Sequence, residues 1–346
     1  LRQNNTNSMK GVFMQIRVLN ETDIKKVMDM KAAIEATKDA LKAYSSGGAD
    51  IPLRANLDVA EHKGQSLYMY GYVPSQSALG VKIVSVYPDN IAKNLTSVPA
   101  TMVTLDSETG QVNSLMDGTY LTRLRTGAIS GAATDELSNP DSKIFALFGT
   151  GGQAETQLEA VLNVRDIKEV RVFDLSKDRA EDFAKRMKEK FEANFDFEIK
   201  AVDSADEAID NADIITAVTT AKDPVFDGQK VKKGCHINGV GSYTPEMSEI
   251  PEYIISHADK IYVDTFDGAV SESGDFIKPI KKGIFNPNKD ITGELGQKLL
   301  GEIAGRENPD EITFFETTGS AVLDLVVGQK ILEAAKKQNI GQIIEM

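Results

Sequence analysis

The chain has 346 residues, of which 41% are hydrophobic and 26% charged, a composition typical of globular proteins and unlike that of disordered or fibrous chains. This length allows two domains, each with a substantial core. The formal net charge of -13 argues against a surface for nucleic acids or anionic membranes, because such surfaces favour clustered Lys and Arg.

The cysteine and histidine content and the lengths of the apolar runs indicate the cellular compartment and exclude some kinds of site. The single Cys235 cannot form an intramolecular disulfide, and the three histidines are too scattered to form a metal site. No apolar run approaches the ~20 residues needed to span a bilayer, and the N-terminus lacks the apolar stretch of a secretory signal. We therefore predict a cytoplasmic protein with no metal and no membrane partner. The polar segment 1–8, before Met9, is left outside the predicted fold.

The first part of the chain predicts helices and an antiparallel sheet. From Ala32 to Tyr44 small apolar residues recur at helical spacing, and the run ends in two serines and two glycines, which are typical of a C-cap and turn. A second helix is predicted from Thr119 to Leu137. Between Ile51 and Leu115, turn residues separate short β-rich runs such as Ser66–Tyr72, Val81–Val86 and Ala100–Leu105.

After Leu137, short apolar runs alternate with helical segments, which predicts a parallel sheet covered by helices on both faces. A last helix, predicted from Ala321 to Lys337, could return to the first part of the chain. The predicted fold class is therefore α/β, a parallel-sheet domain beside an α+β domain. The predicted strands of the parallel sheet are Ile144–Phe148, Val170–Asp174, Ile199–Val202, Ile214–Val218, Ile237–Val240 and Ile261–Val263.

The first of these strands runs directly into the sequence GTGGQA at 149–154, which fits the G-x-G-x-x-A pattern of Rossmann-type dinucleotide-binding units. Gly149 permits the tight turn, and Gly151 lets the backbone approach a pyrophosphate. The small Ala154 allows close packing of the following helix, whose N-terminus faces the phosphates. The motif alone is a weak signal, but its position between a strand and a helix is the one that dinucleotide binding requires.

The second predicted strand ends in Asp174, 20 positions after Ala154, where a carboxylate would accept hydrogen bonds from the adenosine ribose hydroxyls. The same carboxylate would repel a 2′-phosphate, so we predict NAD as the cofactor in preference to NADP. Lys177 and Arg179 follow closely and would weaken that discrimination, which leaves NADP as an alternative.

The fourth predicted strand supplies further candidate contacts. The stretch from Ile214 to Thr220 predicts this strand and the loop that passes under the link between the two halves of the cofactor. Val218 and Thr219 are therefore candidate cofactor contacts. The threonine hydroxyls of this loop are equally typical of a simple turn at a strand end.

Several short motifs lie between about Ile51 and Gly328. They are Pro52-Leu53-Arg54, Gly80-Val81-Lys82, Pro88-Asp89-Asn90, Met116-Asp117-Gly118, the run LTRLRTGA at 121–128, GTGGQA at 149–154 and Gly319-Ser320-Ala321. Together they resemble the ornithine cyclodeaminase and mu-crystallin family, which includes ornithine cyclodeaminases, some alanine dehydrogenases and several imine reductases. The resemblance implies a substrate-binding and dimerisation domain, 9–128 with 321–346, beside a Rossmann NAD-binding domain at 129–320. It also implies a homodimer.

The resemblance further implies that Arg54 and Arg125 hold the carboxylate of a small amino- or imino-acid substrate, with Lys82 beside the reacting group. The chemistry agrees, because Arg offers a fixed fork of donors for a carboxylate and a Lys ammonium supplies a point charge or a proton. The predicted catalytic residues are therefore Lys82, Arg54 and Arg125. The predicted cofactor-binding residues are Thr126, Gly149, Gly151, Gly152, Gln153, Ala154, Asp174, Val218, Thr219 and Gly241.

One position departs from the family pattern. Ornithine cyclodeaminases have an aspartate in a glycine-glycine-aspartate pattern after the fifth Rossmann strand, where it handles the substrate amine. The corresponding stretch here, Gly239 to Met247, places Tyr243 at that position. A phenol with a reference pKa of about 10 is a poor replacement for an ionised carboxylate, so the departure disfavours cyclodeamination of ornithine.

The sequence thus predicts reversible hydride transfer between a nicotinamide and the α-carbon of a 2-imino carboxylate, or of a 2-oxo acid with ammonia. A cyclic ketimine such as pyrroline-2-carboxylate is the favoured substrate, because it needs only carboxylate anchoring, one proton donor and an apolar cup. Alanine dehydrogenase and ornithine cyclodeaminase are alternatives within the same fold. A non-catalytic binding protein of the mu-crystallin type is the alternative from another class.

Overall fold

The computed structural model describes residues 14–346, so the polar segment 1–8 lies outside the described residues. The first part of the chain forms the strands β1 (Gln15–Leu19), β2 (Ala55–Val59), β3 (Gly64–Val73), β4 (Ala78–Val86), β5 (Ala100–Leu105) and β6 (Val112–Asp117). Its helices are α1 (Glu21–Val27), α2 (Met30–Ser45) and α3 (Gly118–Leu137).

The remainder of the chain alternates strands and helices. Its strands are β7 (Ile144–Phe148), β8 (Glu169–Phe173), β9 (Glu198–Ala201), β10 (Ile214–Ala217), β11 (His236–Gly239), β12 (Lys260–Val263), β13 (Gly293–Glu294), β14 (Thr313–Glu316) and β15 (Gln342–Glu345). Its helices are α4 (Ala154–Val164), α5 (Lys177–Phe191), α6 (Ala205–Ile209), α7 (Glu252–His257), α8 (Phe266–Glu272), α9 (Gly274–Lys281), α10 (Pro287–Asp290), α11 (Leu295–Leu299) and α12 (Ala321–Gln338). Within residues 14–346, no helix is long and apolar enough to cross a membrane.

The first sheet has the strand order β15-β1-β6-β5-β4-β3-β2 and is antiparallel from β6 to β2, which confirms the predicted antiparallel arrangement. Along its strands, residues point alternately to two faces. Met69, Val84 and Met102 point inward and are buried. The inner face is covered by α12, whose first turns are almost entirely apolar and buried, so the last helix of the chain completes the core of its first part.

The second sheet is parallel throughout, with the order β13-β12-β14-β11-β10-β7-β8-β9. The six predicted strands are confirmed, with ends shifted by at most one residue. Strand β14 was not predicted, although it lies in the middle of the sheet between β11 and β12. Its four residues end in Glu316. From the sequence an acid here indicates an exposed strand end, but Glu316 is fully buried in the structure.

Helix α3 joins the two sheets, because it contacts α2 and α12 on one side and α4, β11 and β14 on the other. Its close approach to α4 depends on Gly127, where a Cβ would lie 2.7 Å from the carbonyl carbon of Thr156. Almost every side chain of α3 from Leu124 onward is buried in consequence. The helix thereby brings residues of the first sheet opposite the carboxyl ends of the strands of the second sheet.

Candidate active site

The glycine-rich turn after β7 has the backbone that the sequence predicted for it. Gly149 has φ of +94°, and a Cβ there would lie 2.9 Å from the carbonyl oxygen of Val218, so only glycine fits. At Gly151 and Gly152 a Cβ would meet nothing within 4 Å, which leaves open space in front of the backbone at the N-terminus of α4. This cradle fits the pyrophosphate of a dinucleotide, because backbone N–H groups and the helix dipole favour an anion there. Ala154 is buried beneath the turn.

Asp174 lies immediately after β8 and beside this turn. Its carboxylate accepts hydrogen bonds from the Thr150 hydroxyl (2.7 Å) and the Ser176 amide (2.9 Å), and it forms an ion pair with Arg179 (2.6 Å). Burial opposes ionisation, but the hydrogen bonds from Ser176, Thr150 and Arg179 outweigh it, so the pKa of Asp174 is lowered. The carboxylate is therefore charged, with part of its charge compensated by Arg179. Lys177 is engaged elsewhere, in an ion pair with Asp203.

Two cavities open along the carboxyl ends of the parallel strands. The first, of about 370 Å³, contains most of the predicted site, namely Arg54, Lys82, Arg125, Thr126, Gly151, Gly152, Gln153, Val218, Thr219 and Gly241. The second, of about 670 Å³, follows the glycine-rich turn and contains Gly149, Asp174 and Arg179. Both cavities are lined by Gly151 and by the loop from Val218 to Thr220, so they meet at the end of β10.

A buried ion-pair cluster lies on the wall of the first cavity. Lys82 of β4 donates to one oxygen of Asp324 on α12 at 2.7 Å, and the Nε of Arg125 on α3 donates to the other oxygen at 3.0 Å. The side chains of Lys82 and Asp324 are 1% and 0% exposed. One carboxylate thus fixes both cations and leaves the terminal nitrogens of Arg125 and two ammonium protons of Lys82 for a ligand.

The electrostatics of this cluster place Lys82 near its titration point. Burial lowers the pKa of Lys82 to about 7, the charge of Asp324 raises it, and the neighbouring Arg125 and Arg54 lower it further. For Asp324 burial opposes ionisation, but Arg125 and Lys82 outweigh it and lower the pKa of the carboxyl group. A lysine whose pKa lies near neutral pH gives up its proton readily and suits general acid catalysis.

Arg54 precedes β2 and belongs to a second ion pair on the same wall. Its Nε donates to Glu272 at the end of α8 (2.8 Å), its Nη2 contacts the other oxygen of Glu272, and the same nitrogen donates to the Thr318 carbonyl at 3.2 Å. Its Nη1 makes no hydrogen bond within residues 14–346 and is the donor that remains for a ligand. With all five groups ionised, three cations face two carboxylates, so the cluster carries one net positive charge.

Gly319 gives the guanidinium of Arg125 its space. It has φ of +80°, and a Cβ there would lie 2.7 Å from Nη1 and 3.1 Å from Nη2 of Arg125. A side chain at this position would therefore push the guanidinium away from its place beside the cavity. Sequence comparison with the family pointed to the Gly319-Ser320-Ala321 motif, and the structure supplies its physical reason.

Sequence reasoning missed both carboxylates that organise the cations. Asp324 had a usable signal, because a lone acid inside the run Ala321–Val327 of α12 cannot be solvated there and needs a cationic partner. Glu272 had no such signal in the sequence, since it comes from a distant helix.

Tyr243 lines the cavity and is 37% exposed. Among the described residues no group of His, Cys, Asp and Glu is arranged to hold a metal ion.

The fold and the site define a Rossmann-type protein in which a dinucleotide cradle meets a cationic cavity suited to a small carboxylate. The chain belongs to the ornithine cyclodeaminase/mu-crystallin family, whose sequence model matches residues 14–339.

Three relatives illustrate the similarity. The chain is 37% identical to a Delta(1)-pyrroline-2-carboxylate reductase of Bacillus cereus, over 95% of this chain and 99% of the relative. It is 39% identical to the Delta(1)-pyrroline-2-carboxylate reductase of Thermococcus litoralis, solved with NADH and L-proline, with a TM-score of 0.89 over 94% of this chain and 99% of that one. An archaeal alanine dehydrogenase dimer with bound NAD is 31% identical, with a TM-score of 0.86 over 96% and 99% of the two chains.

Proposed function

We propose that this chain is an NAD-dependent oxidoreductase that reduces a cyclic ketimine carboxylate of the pyrroline-2-carboxylate type to the corresponding amino acid. The observation that carries the proposal is the cluster of Lys82, Asp324 and Arg125 on the wall of the cavity that meets the glycine-rich turn. Similarity over nearly the whole chain to two pyrroline-2-carboxylate reductases supports it, one of them solved with NADH and L-proline.

The cations divide the work of binding. Arg125 presents its two terminal nitrogens as a fork, which is the geometry that a carboxylate accepts in two parallel hydrogen bonds. Arg54 adds a single free donor, Nη1, because Glu272 occupies its other edge. The substrate carboxylate is thereby fixed in position. The ring of the substrate then lies against the apolar wall of the cavity formed by β3 and β4, which includes Leu67, Met69, Val84 and Val86.

Lys82 acts as the proton donor to the imine nitrogen. Reduction of a preformed imine requires one hydride and one proton, and a lysine with a pKa of about 7 is partly protonated at neutral pH and gives up its proton readily. Asp324 holds the ammonium in place and fixes Arg125 at the same time. Both groups are shielded from bulk water, which strengthens their interaction with the substrate.

NAD is the cofactor that we propose, held at the pyrophosphate by the cradle of Gly151 and Gly152. When bound, the reduced nicotinamide supplies the hydride. Thr126, Gln153, Thr219 and Gly241 line the cavity where the nicotinamide half would bind, and Asp174 would accept from the adenosine ribose. Because Arg179 compensates part of the charge of Asp174, we expect NADP to be used as well, with lower efficiency.

The charge of the site favours a substrate with one carboxylate. One net positive charge of the cluster is matched by a monocarboxylate, and the apolar side chains Leu67, Met69, Val84 and Val86 would offer a second carboxylate no counter-charge. Tyr243 stands where the family's cyclodeaminases have an aspartate, which disfavours ornithine as substrate. Alanine dehydrogenase and a non-catalytic ligand carrier are the alternatives that assays of NADH oxidation separate. Ornithine cyclodeaminase is the alternative that proline formation from ornithine tests.

The first sheet offers the surface for the homodimer that we propose. Leu57 of β2, Tyr70 of β3 and Ile83 of β4 share its outer face and are 58%, 43% and 38% exposed. Exposed apolar side chains that share one sheet face are the kind of surface that an interface covers. The archaeal alanine dehydrogenase is itself described as a dimer. The dimerisation and substrate domain would comprise 9–128 and 321–346, beside a Rossmann domain at 129–320.

The single cysteine agrees with the reducing, cytoplasmic setting that we propose. Cys235 is fully buried, and burial raises the pKa of its thiol to about 12. The thiolate, which is the reactive form, is therefore suppressed at neutral pH.

The experiment follows NADH oxidation by absorbance with pyrroline-2-carboxylate, and with pyruvate plus ammonia. We expect turnover with the ketimine to be the more efficient, and Lys82→Ala to lower it by about 100-fold or more. The matched control is Lys63→Ala, which removes an exposed lysine and leaves the rate unchanged. Turnover only with pyruvate and ammonia would assign the chain as an alanine dehydrogenase, and saturable ligand binding without turnover would assign it as a carrier.

A further inference from the structure

A buried carboxylate outside the cavity ties together the two loops that form its floor. Glu249 is fully buried in the segment between β11 and α7. One of its oxygens accepts from the backbone N–H of Thr219, after β10, and the other accepts from the N–H of Gly241, after β11, at 2.5 Å. Neither loop is bonded to the other in this way by any other side chain of residues 14–346.

These two N–H groups need an acceptor because of where they lie. β10 and β11 are adjacent parallel strands, and their ladder ends at Ala217 and Gly239. Thr219 and Gly241 come just beyond the end of the ladder, where their half-buried amides have no strand partner and would cost free energy if left unpaired. A carboxylate satisfies both because it has two acceptor oxygens and no donor when ionised. Burial and the charge of Asp275 raise the pKa of Glu249 to about 8, against the hydrogen bonds from Thr219 and Gly241, so the side chain is predominantly ionised only above this pH.

Glu249 is itself held in place from the side away from the cavity. Asp275, at the start of α9, accepts from the backbone N–H of Glu249 (2.8 Å) and of Ile250 (3.0 Å). The Glu249 carbonyl accepts from the N–H of Val225 at 2.9 Å. The carboxylate therefore stands on a fixed backbone, so that it can fix the loops in turn.

The two loops are the ones that would contact the cofactor. Thr219 lines both cavities at their junction, and Gly241 lines the first cavity. A Cβ at Gly241 would collide with the Thr219 carbonyl and with the Glu249 carboxylate, so the three groups are in close contact. A shift of either loop would change the shape of the cavity where the nicotinamide half binds.

We propose that Glu249 is a positioning residue for the cofactor, whose carboxylate clamps the loops at Thr219 and Gly241 in the spacing that the nicotinamide half requires. This inference rests on the proposed function, because it assumes that the cavity binds NADH. Glu249→Gln is a sharp probe, since the side chain keeps its shape but one oxygen becomes an NH₂ group. That NH₂ would face a backbone N–H, and one amide would lose its acceptor.

The test is isothermal titration calorimetry of the full chain with NADH at about pH 9, above the pKa of about 8 of Glu249. For Glu249→Gln we expect the Kd of NADH to rise at least ~10-fold, equivalent to about 1.4 kcal/mol. The KM for NADH should rise in parallel, while kcat at saturating NADH stays within about threefold of the wild type, because the substrate cations are untouched.

The matched control is Glu316→Gln. Glu316 is an equally buried acid of the same region, bonded to the Ser273 hydroxyl at 2.6 Å but to neither loop. Gln keeps the shape of this side chain and leaves the Thr219 and Gly241 amides with their acceptor, Glu249. We expect its NADH affinity to stay within about twofold of the wild type. An equal loss of NADH affinity in both variants would contradict the clamp, because the loss would then follow from replacing any buried acid of this region.

A second variant keeps the proposal testable if Glu249→Gln does not fold. Gly241→Ala wedges a methyl group into the same contact and should raise the Kd of NADH by a similar factor. If both variants fold, the double variant should lose little more than the larger single loss, because both act on one contact. Unchanged NADH affinity in a folded Glu249→Gln would refute the clamp. Failure of the wild type to bind NADH would instead refute the proposed function.

Discussion

Asp324→Asn removes the one negative charge between Lys82 and Arg125 while keeping the size of the side chain. At the observed 2.7 Å between Lys82 Nζ and the carboxylate, the attraction is about 6 kcal/mol at an effective dielectric constant of about 20. Loss of only a quarter of this attraction would lower the pKa of Lys82 by one unit, because one unit of pKa corresponds to about 1.4 kcal/mol. Lys82 in the variant should therefore lose its proton at lower pH than in the wild type.

The assay is the pH profile of kcat/KM for NADH-dependent reduction of pyrroline-2-carboxylate. Because the proton donor must be protonated, wild-type kcat/KM should fall as pH rises through about 7, the value to which burial, opposed by Asp324, lowers the pKa of Lys82. In Asp324→Asn this fall should move to more acid pH by about one unit or more. The free imine titrates too, but it contributes equally to both profiles.

The control for this prediction is Glu333→Gln, which removes an exposed carboxylate from the same helix, α12, and should leave the profile unchanged. Breaking a buried ion pair destabilises a protein by about 3–5 kcal/mol, so thermal unfolding must show that Asp324→Asn is folded at the assay temperature. A folded Asp324→Asn enzyme whose profile coincides with that of the wild type would refute the assignment of Lys82 as the proton donor tuned by Asp324.

Three further substitutions and one substrate test the other parts of the site. Arg125→Lys should lower kcat/KM by at least ~10-fold, about 1.4 kcal/mol, because a point charge replaces a fork, and unchanged kinetics would make Arg125 structural. Gly319→Ala should raise the substrate KM with a smaller effect on kcat, since its Cβ displaces the Arg125 guanidinium; an unaltered KM would contradict this. Asp174→Ser should narrow or invert the preference for NADH over NADPH in KM measurements, and equal use of both by the wild type would remove the argument. With Tyr243 in place of the family's aspartate, proline formation from ornithine should be slower by orders of magnitude than ketimine reduction, and efficient conversion would show that another acid serves.

Much of the fold could be predicted from the sequence because its signals are local. The alternation of apolar runs and helices after Leu137 and the glycine pattern at 149–154 fix the parallel sheet and its dinucleotide cradle by short-range rules. Strand β14 was not predicted, because four residues that end in an acid show no periodicity in the sequence. Its place between β11 and β12 depends on pairing between strands that are far apart in the chain.

The candidate site was predictable only in its cations. Lys82, Arg54 and Arg125 stand in motifs of the family, whereas their carboxylate partners lie 199 to 242 positions away in the chain. Glu249 is a similar case, since nothing in its neighbourhood shows that it faces two strand ends. Such partners are set by packing of the two sheets around α3, which no local pattern encodes.

The most direct test of the central claim uses NADH that carries deuterium at both C4 positions, incubated with the full chain and pyrroline-2-carboxylate. The proposed hydride transfer predicts proline with one deuterium on its α-carbon, detected by mass spectrometry and located by proton NMR. Proline without deuterium at that carbon, or no proline at all from a folded chain that binds NADH, would contradict the proposed function.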